Sequence, residues 1–401
     1  MKNITIGITM HIKRETNLWA NGIGQNAINL IKLLKKSSNN YKIVVLNSEG
    51  AIDSEKEKPD YLRSVDILDL NTSYNSVDLM IVFSWYPTPG QLEDFKKSKS
   101  KRLVSYKCGN DIMYAMESMI FDQKTTVRFD EQVMDEIWYI PQNNIMNRDY
   151  YSITSRKPSI PIPFIWNPGL LDNELTKIDI NYYITKKGKK NKEYQPWKHS
   201  KSIGIMEPNL NTQKTFLVPA LIAEECYRMN QDKSKIDKVY ITNMSRIKEN
   251  RQVDLFLKPF DLDKDKKIRV ESRYQTSYIL SQYFDILVCH QLQDMNALNY
   301  LYLDAIHMGY PVLHNAMLCK DLGYYYERNN IKEAASMLDY IIHHHDEDLH
   351  KYNAKNRAKI LRYHSDNPAL VETYDTLISN LWKKGNSHLD YNVEKNLYYN
   401  L

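Results

Sequence analysis

The chain has 401 residues, 42% hydrophobic and 26% charged, with a formal net charge of +5. That is the composition of a soluble globular protein with a full core, long enough for two or three domains of ordinary size. It argues against a membrane-spanning protein, because no apolar run reaches the ~18 residues a bilayer requires.

The N-terminus opens directly into a strand (ITIGITM) and lacks a signal-peptide cleavage region, so a cytoplasmic location is expected. Cys108, Cys226, Cys289 and Cys319 form no CxxC pair and read as reduced thiols, not as a disulfide frame or a zinc site. The mild positive charge permits a polyanionic partner without demanding one.

In chain order, the first expected strand is Ile4–Met10, followed by a loop from His11 to Gly24 and a helix from Gln25 to Lys36. That helix carries Ile28, Leu30, Ile31 and Leu34 on its apolar side. Further strands are expected at Tyr41–Asn47, Val65–Leu70, Leu79–Phe83, Arg102–Tyr106 and Glu136–Tyr139. The continuous apolar run at Leu79 suits a parallel strand buried on both faces. Strands alternating with helical segments predict an α/β, doubly wound parallel sheet.

The stretch Thr154–Pro168 carries four prolines, cannot continue a helix or a central strand, and ends a first domain at 1–168. Residues 169–201 form a polar, basic connector with KKGKKNK at Lys186–Lys192. A second α/β series fills 202–365, with strands at Ser202–Met206, Lys238–Ile241 and Ile268–Val270. Its helix at Thr215–Met229 tolerates Pro219 only near the first turn.

The second series centres on Asp285–Tyr326. There a strand (Ile286–Cys289), a polar loop (His290–Asn296) and a helix (Ala297–His307) are followed by Gly309, Pro311 and a second buried strand to His314. A polar loop at the carboxyl end of a buried strand is where open α/β sheets bind ligands. After Asn330, one helix is expected through Ile342, another through Leu361, and a third over Val371–Leu381, with a polar tail at Lys383–Leu401.

Several residues could carry chemistry. Gly22 and Gly24, in WANGIGQN, let the backbone approach a ligand before a helix N-terminus, although a tight turn would explain them as well. The spacing is not GxGxxG, so a dinucleotide site is not indicated. Glu207 and Asn209 follow the first strand of the second domain, and Lys214 at the expected helix start could clamp a diphosphate or be a solvated lysine. Arg246 and Arg273 follow the next two strands and could share that role.

His290, Gln291, Asn296 and Asn299 could bond base, ribose or sugar hydroxyls. Asp304 lies eight residues after Asn296, on the same helical face if one helix holds both. A buried lone aspartate is costly unless paired or bound to ligand. His314 and Asn315 close the next strand, and Tyr324 could stack on a base or sugar or belong to an aromatic patch. Asp111 after Lys107-Cys108-Gly109-Asn110, and secondly His11, could serve as a general base, though Asp111 could equally be an N-cap. Adjacent histidines at 343–345 do not converge, and Asp261-Leu262-Asp263 sits in a charged loop, so no metal site is expected.

Asp304-Ala305 with Gly309-Tyr310-Pro311-Val312 resembles half of a pattern found in many glycosyltransferases of the GT-B fold. In that pattern an acidic residue, seven spacers, a second acidic residue and Ala precede a Gly-Pro-Val step; Asn296 stands here where the first acid would be. NYLYLDA, GYPVLHN, GYYY, WANGIGQN and MEPNLNTQKTFLVPALIAEECYR also resemble a family of bacterial and phage glycosyltransferase-like proteins, over nearly the whole chain.

The resemblance implies two Rossmann-like domains facing across a cleft, with residues 366–401 crossing back to the first. It implies a nucleotide-diphosphate sugar donor, a UDP-sugar foremost, no permanently bound cofactor and no metal. The donor would be held by Gly22, Gly24, Glu207, Asn209, Lys214, Arg273, His290, Asn296, Asn299 and Asp304, the last on the ribose. Tyr324 or His314 would touch sugar or base, and Asp111 or His11 would take the acceptor proton.

For the acceptor, a hydroxymethylated cytosine in phage DNA fits the Lys/Asn/Tyr-rich composition and the basic clusters Lys96–Arg102, Arg156-Lys157 and Lys186–Lys192. A surface glycan is the alternative. A non-catalytic GT-B scaffold that binds a nucleotide or glycan is a third reading, kept open by Asn296. The sequence does not indicate an oligomeric state.

Overall fold

Apolar runs become central strands in a computed structural model that describes residues 4–13, 22–125, 127–128, 131–177, 193–292, 295–383 and 391–398. They fall into two units, Met1–Asn167 with Arg362–Leu401, and Pro168–Leu361.

In the first unit β1 (Thr5–Met10), β2 (Lys42–Asn47), β3 (Asp66–Asp69), β4 (Leu79–Val82), β5 (Arg102–Lys107), β6 (Glu136–Tyr139) and β7 (Ser159–Pro161) pair in the order β3-β2-β1-β4-β5-β6-β7. Every neighbouring pair is parallel, with Ile6 opposite both Ile43 and Leu79. The innermost runs are buried on both faces, as Leu79, Met80, Ile81 and Val82 show. The proline-rich stretch supplies only the edge strand β7, the place where a missing backbone N–H costs least.

The first helix starts at Gly22, not at Gln25, and the residues from Arg362 onward complete this unit. The helix Pro368–Asn380 sends the Tyr374 hydroxyl to Pro163 O at 2.7 Å, and Ser37 Oγ donates to Asp375 at 2.7 Å. Asn396 is fully buried, accepting from Phe164 N at 2.8 Å and donating to Phe164 O at 2.7 Å. It lies in the ribbon of β14 (Tyr391–Asn392) and β15 (Leu397–Tyr398).

The second unit is built on β8 (Lys201–Ile205), β9 (Ile236–Ile241), β10 (Ile268–Val270), β11 (Ile286–Val288), β12 (Val312–His314) and β13 (Tyr324–Tyr325), in the order β10-β9-β8-β11-β12-β13 and again all parallel. Phe284 lies so close to β8 that a Cβ on Gly204 would stand 2.2 Å from its ring, so only glycine fits there. Gly309 ends the helix Tyr300–His307 with φ +79°, the left-handed turn expected of it.

Where two helices were expected after Asn330, one of 30 residues runs from Ile331 to Ile360. Its buried stripe passes through Leu338, Ile341, Ile342, His345, Tyr352, Asn356 and Ile360. Polar residues hide the continuity: His345 Nδ1 meets the Tyr324 hydroxyl at 2.8 Å, and Asn356 Oδ1 accepts from Gly323 N at 2.9 Å.

Residues 169–201, read as a connector, include the helix Gly169–Lys177, and the buried Lys201 pairs with Asp346 at 2.6 Å. Lys186–Lys192 lie outside the described residues. Among the described residues no helix is long and apolar enough to cross a membrane.

Candidate functional site

In each sheet the strand order reverses at one place, between β1 and β4 and between β8 and β11. Chains leaving neighbouring strands in opposite directions open a crevice at their carboxyl ends, the usual ligand position in such sheets. Several of the polar residues picked from the sequence lie at one or other of them.

At the β8/β11 crevice Glu207, just past β8, accepts from the backbone N–H of His290, just past β11, at 2.9 Å. Both are buried, Glu207 at 2% exposure and His290 at 4%. Burial pushes the Glu207 carboxyl up to about 7, against the opposing pull of Lys214 and the His290 N–H. Lys214 is also buried, and burial lowers its ammonium, with Glu207 working the other way. Its Nζ stands over the Tyr302 ring at 5.7 Å from the centroid. With the Asn296 amide turned so that Nδ2 donates to Leu298 O at 2.6 Å, its Oδ1 accepts from Lys214 Nζ at 2.8 Å. A carboxyl, an ammonium and an amide thus share one low-dielectric place, the setting in which a phosphate or hydroxyl is bound strongly.

Two expectations about this edge are corrected. The helix there begins at Tyr300, so Asn296 lies in the preceding loop and not on one helical face with Asp304. Asn299 is the N-cap, its Oδ1 accepting from Leu301 N at 3.0 Å. Asp304 is 6% exposed within the helix. Lys214 does not open a helix either, because the next one starts at Leu217. Asn209, expected to meet donor, is spent on the loop itself. It takes φ +52°, accepts from Phe216 N at 2.8 Å, and donates to Glu207 O at 3.0 Å.

His290 Nδ1 lies 2.9 Å from the Tyr326 hydroxyl and 3.1 Å from Asn315 Nδ2, and burial lowers the ring to about 4. Gln291 Oε1 accepts from Asn296 N at 2.9 Å, tying the two ends of the polar loop together.

His314 and Tyr324 are both engaged within the second unit. His314 is fully buried, accepting from Ala316 N at 3.1 Å through Nδ1 and meeting Leu322 O at 3.0 Å through Nε2. Tyr324 stacks on Tyr352 at 5.2 Å and bonds His345. Strand period two turns these side chains inward, and the loop preceding them does not reveal which way. Arg246 and Arg273 are exposed beyond β9 and β10.

At the β1/β4 crevice His11 stacks on Trp85 with centroids 5.2 Å apart and planes within 7°. Its Nδ1 lies 2.8 Å from Ser48 Oγ and 3.1 Å from Glu49 Oε1, and its side chain is 25% exposed. Gly22 and Gly24 sit in the first turn of the helix Gly22–Leu34, while Trp19, Ala20 and Asn21 fall outside the described residues.

Asp111 is the first residue of the helix Asp111–Ile120, whose N-cap is Asn110. It pairs with Lys107 at 3.1 Å, and Lys107 also reaches Glu131 at 2.9 Å. Burial raises the Asp111 carboxyl against the pull of Lys107. Glu131 escaped the sequence reading; it also accepts from Tyr86 and Ser105 at 2.5 and 2.7 Å, partners 45 and 26 residues away that no local pattern announces.

The basic run before β5 is largely spent within the first unit: Lys96 pairs with Asp135 at 2.7 Å, Lys97 with Asp94 at 3.0 Å, and Arg102 donates to Leu381 O. Among the described residues no three His, Cys, Asp or Glu side chains are grouped as a metal site would need.

With this geometry in hand, solved structures of similar fold are informative. HepE from Anabaena, crystallised with UDP-glucose, matches over 94% of this chain and 100% of its own, with a TM-score of 0.55 at 9% identity. Sucrose-phosphate synthase from Thermosynechococcus elongatus matches over 95% and 100%, with a TM-score of 0.56 at 9% identity. The trehalose-6-phosphate synthase OtsA matches over 95% and 99%, with a TM-score of 0.59 at 10% identity.

These neighbours are GT-B glycosyltransferases, and the fold of this chain is GT-B, two Rossmann-like parallel-sheet domains. No curated protein matches the chain in sequence. One family model does, over residues 6–378, and the chain therefore belongs to the family described as protein of unknown function DUF2827.

Proposed function

We propose that the protein is a glycosyltransferase whose second unit holds a nucleotide-diphosphate sugar, UDP-linked in the first instance, at the β8/β11 crevice. The observation that carries this reading is the group of buried Glu207 and Lys214 with half-buried Asn296 at the place in a GT-B sheet where ligands sit. HepE, of similar fold, is a UDP-glucose complex, which supports the choice of donor.

In this reading Lys214 meets the diphosphate and Asp304, on the neighbouring helix, the ribose. The acceptor oxygen bonds to the anomeric carbon, the bond from that carbon to the diphosphate oxygen breaks, and the nucleotide diphosphate leaves with its charge stabilised by Lys214. The acceptor proton passes to a general base. His11 is better suited to receive it than Asp111, because Ser48 and Glu49 orient its ring through Nδ1, whereas Asp111 is locked to Lys107. The first unit would accordingly be the acceptor side.

A glycan hydroxyl is the acceptor we favour over a DNA base, since Lys96 and Lys97 of the Lys96–Arg102 run are paired with carboxylates of their own unit. Two of the similar structures are, by name, synthases of sugar phosphates. A salt titration against duplex DNA separates the two acceptors, because DNA binding falls steeply with salt.

Asn296, bonded to Lys214 where many GT-B enzymes place an acid, favours one second reading, a scaffold that binds donor without transfer. The test is calorimetric titration with UDP, UDP-glucose, GDP-mannose and CMP-sialic acid, followed by assay for slow release of free sugar. Binding with release supports the enzyme, and tight binding without release the scaffold. No binding to any of them removes the proposal.

A further inference from the structure

One nitrogen of a buried ring at the donor crevice has no hydrogen-bond partner: His290 is 4% exposed and its Nε2 is unsatisfied. Where the ring proton sits follows from the protons around its other nitrogen. Asn315 Oδ1 accepts from Gln291 N at 2.9 Å, which fixes the orientation of that amide. Its Nδ2 then has two protons, and two carbonyls lie closer than His290 does: Gln291 O at 2.9 Å and Arg328 O at 2.8 Å. The single proton of the Tyr326 hydroxyl can go to His290 Nδ1 at 2.9 Å or Cys289 O at 3.1 Å. Given to Nδ1 it would strand both the Cys289 carbonyl and an Nε2–H, whereas given to Cys289 O it leaves only a lone pair unmatched. Nothing remains to donate to His290 Nδ1, so Nδ1 carries the proton and gives it to Tyr326 Oη at 2.9 Å.

We infer that His290 Nε2 is a bare lone pair that accepts a hydroxyl proton from the ribose or sugar of the bound nucleotide sugar, and that it does not contact phosphate. The inference rests on the donor site proposed above. A buried acceptor without a donor is unfavourable, so a ligand hydroxyl that fills it gains more than a hydrogen bond at a solvated surface would. A phosphate oxygen in neutral solution has no proton to offer and would set lone pair against lone pair. The ring stays uncharged there, because burial lowers its pKa to about 4. The bound molecule is therefore oriented, with its diphosphate toward Lys214 and a hydroxyl toward β11.

The test compares wild type with His290→Ala and His290→Gln in calorimetric titrations of UDP-glucose, UDP, 2′-deoxy-UDP, 3′-deoxy-UDP and inorganic pyrophosphate, with thermal melts confirming that each variant is folded. His290→Ala should weaken UDP-glucose about tenfold, roughly the worth of one buried hydrogen bond. His290→Gln, whose amide oxygen can accept, should recover part of the loss, and pyrophosphate should be unaffected. A loss shared by UDP but absent for one deoxy-UDP places the hydroxyl on the ribose; a loss confined to UDP-glucose places it on the sugar. Equal loss for pyrophosphate, or no loss for any ligand, overturns the inference, the latter leaving a buried water as the partner.

Nitrogen-15 NMR of the imidazole provides an independent readout: wild type should show an unprotonated Nε2, and Tyr326→Phe should move the proton there. A protonated Nε2 in wild type also overturns it. Failure of wild type to bind UDP or UDP-glucose removes the donor site and the ligand with it, while the nitrogen spectra still decide where the proton lies.

Discussion

The two sheets reverse direction in the same way and dress the resulting crevices oppositely. At β8/β11 Glu207, Lys214 and His290 are sealed, exposed by 2, 6 and 4%. At β1/β4 His11 is a quarter exposed, stacked on Trp85 and leaning on a half-buried Ser48 and a surface Glu49. One backbone topology thus supports a dry, charge-holding crevice and a wetter one. Buried charges act strongly on a bound anion, whereas a partly exposed ring suits a proton exchanged with its surroundings.

The hardest test of that division is His11→Ala. If the ring takes the acceptor proton, turnover should fall about a hundred- to ten-thousandfold while UDP-glucose affinity, measured by calorimetry, stays within twofold. A parallel fall in affinity would erase the distinction between the crevices. Next comes Lys214→Ala, which should weaken UDP roughly ten- to a hundredfold, the worth of a hydrogen bond to a charged group. It should leave a glycan acceptor's binding untouched.

Gly204→Ala attacks the support beneath the sealed site. With Phe284 in the way, chemical denaturation should show a loss of about 1–3 kcal/mol, the usual cost of overpacking. The smallest effect is the pH response of Glu207. Its carboxyl rises from an ordinary 4.5 to about 7 in the fold, so the fold favours the protonated form. The corresponding stability is fully present below about 4.5 and is lost as pH climbs to about 7. The difference in melting temperature between wild type and Glu207→Gln should therefore drift against wild type across that interval, and be flat on either side. Buried histidines such as His314, lowered to about 4, bend both curves alike and cancel in the difference.

Much of this was legible in the residues. Apolar runs such as Leu79–Val82 located the strands, Gly309 and Pro311 fixed a helix end, and Glu207 and His290 do directly follow buried strands, as expected. What was missed shares a cause. The helix starts at Tyr300 and not Ala297, and the bonds of Asn209 and His314 within the fold could not be read, because sequence gives a residue's neighbours along the chain and not what turns to meet its side chain. Glu131 was invisible for the same reason, its partners Tyr86 and Ser105 being supplied by other elements. The long helix through His345 and Asn356 escaped because polar residues occupy core positions when a specific partner awaits them.

The late return of the chain to its first unit constrains biosynthesis. Phe164 cannot satisfy its backbone until Asn396 has been made, nor Pro163 its carbonyl until Tyr374 has. The stretch Pro168–Leu361 is contiguous and can mature while translation continues, whereas the unit begun earlier must wait, part-finished, until that stretch has been made. An early-stalled ribosome would thus release an incomplete fold, and a chaperone's longest hold would fall on the half that emerges first.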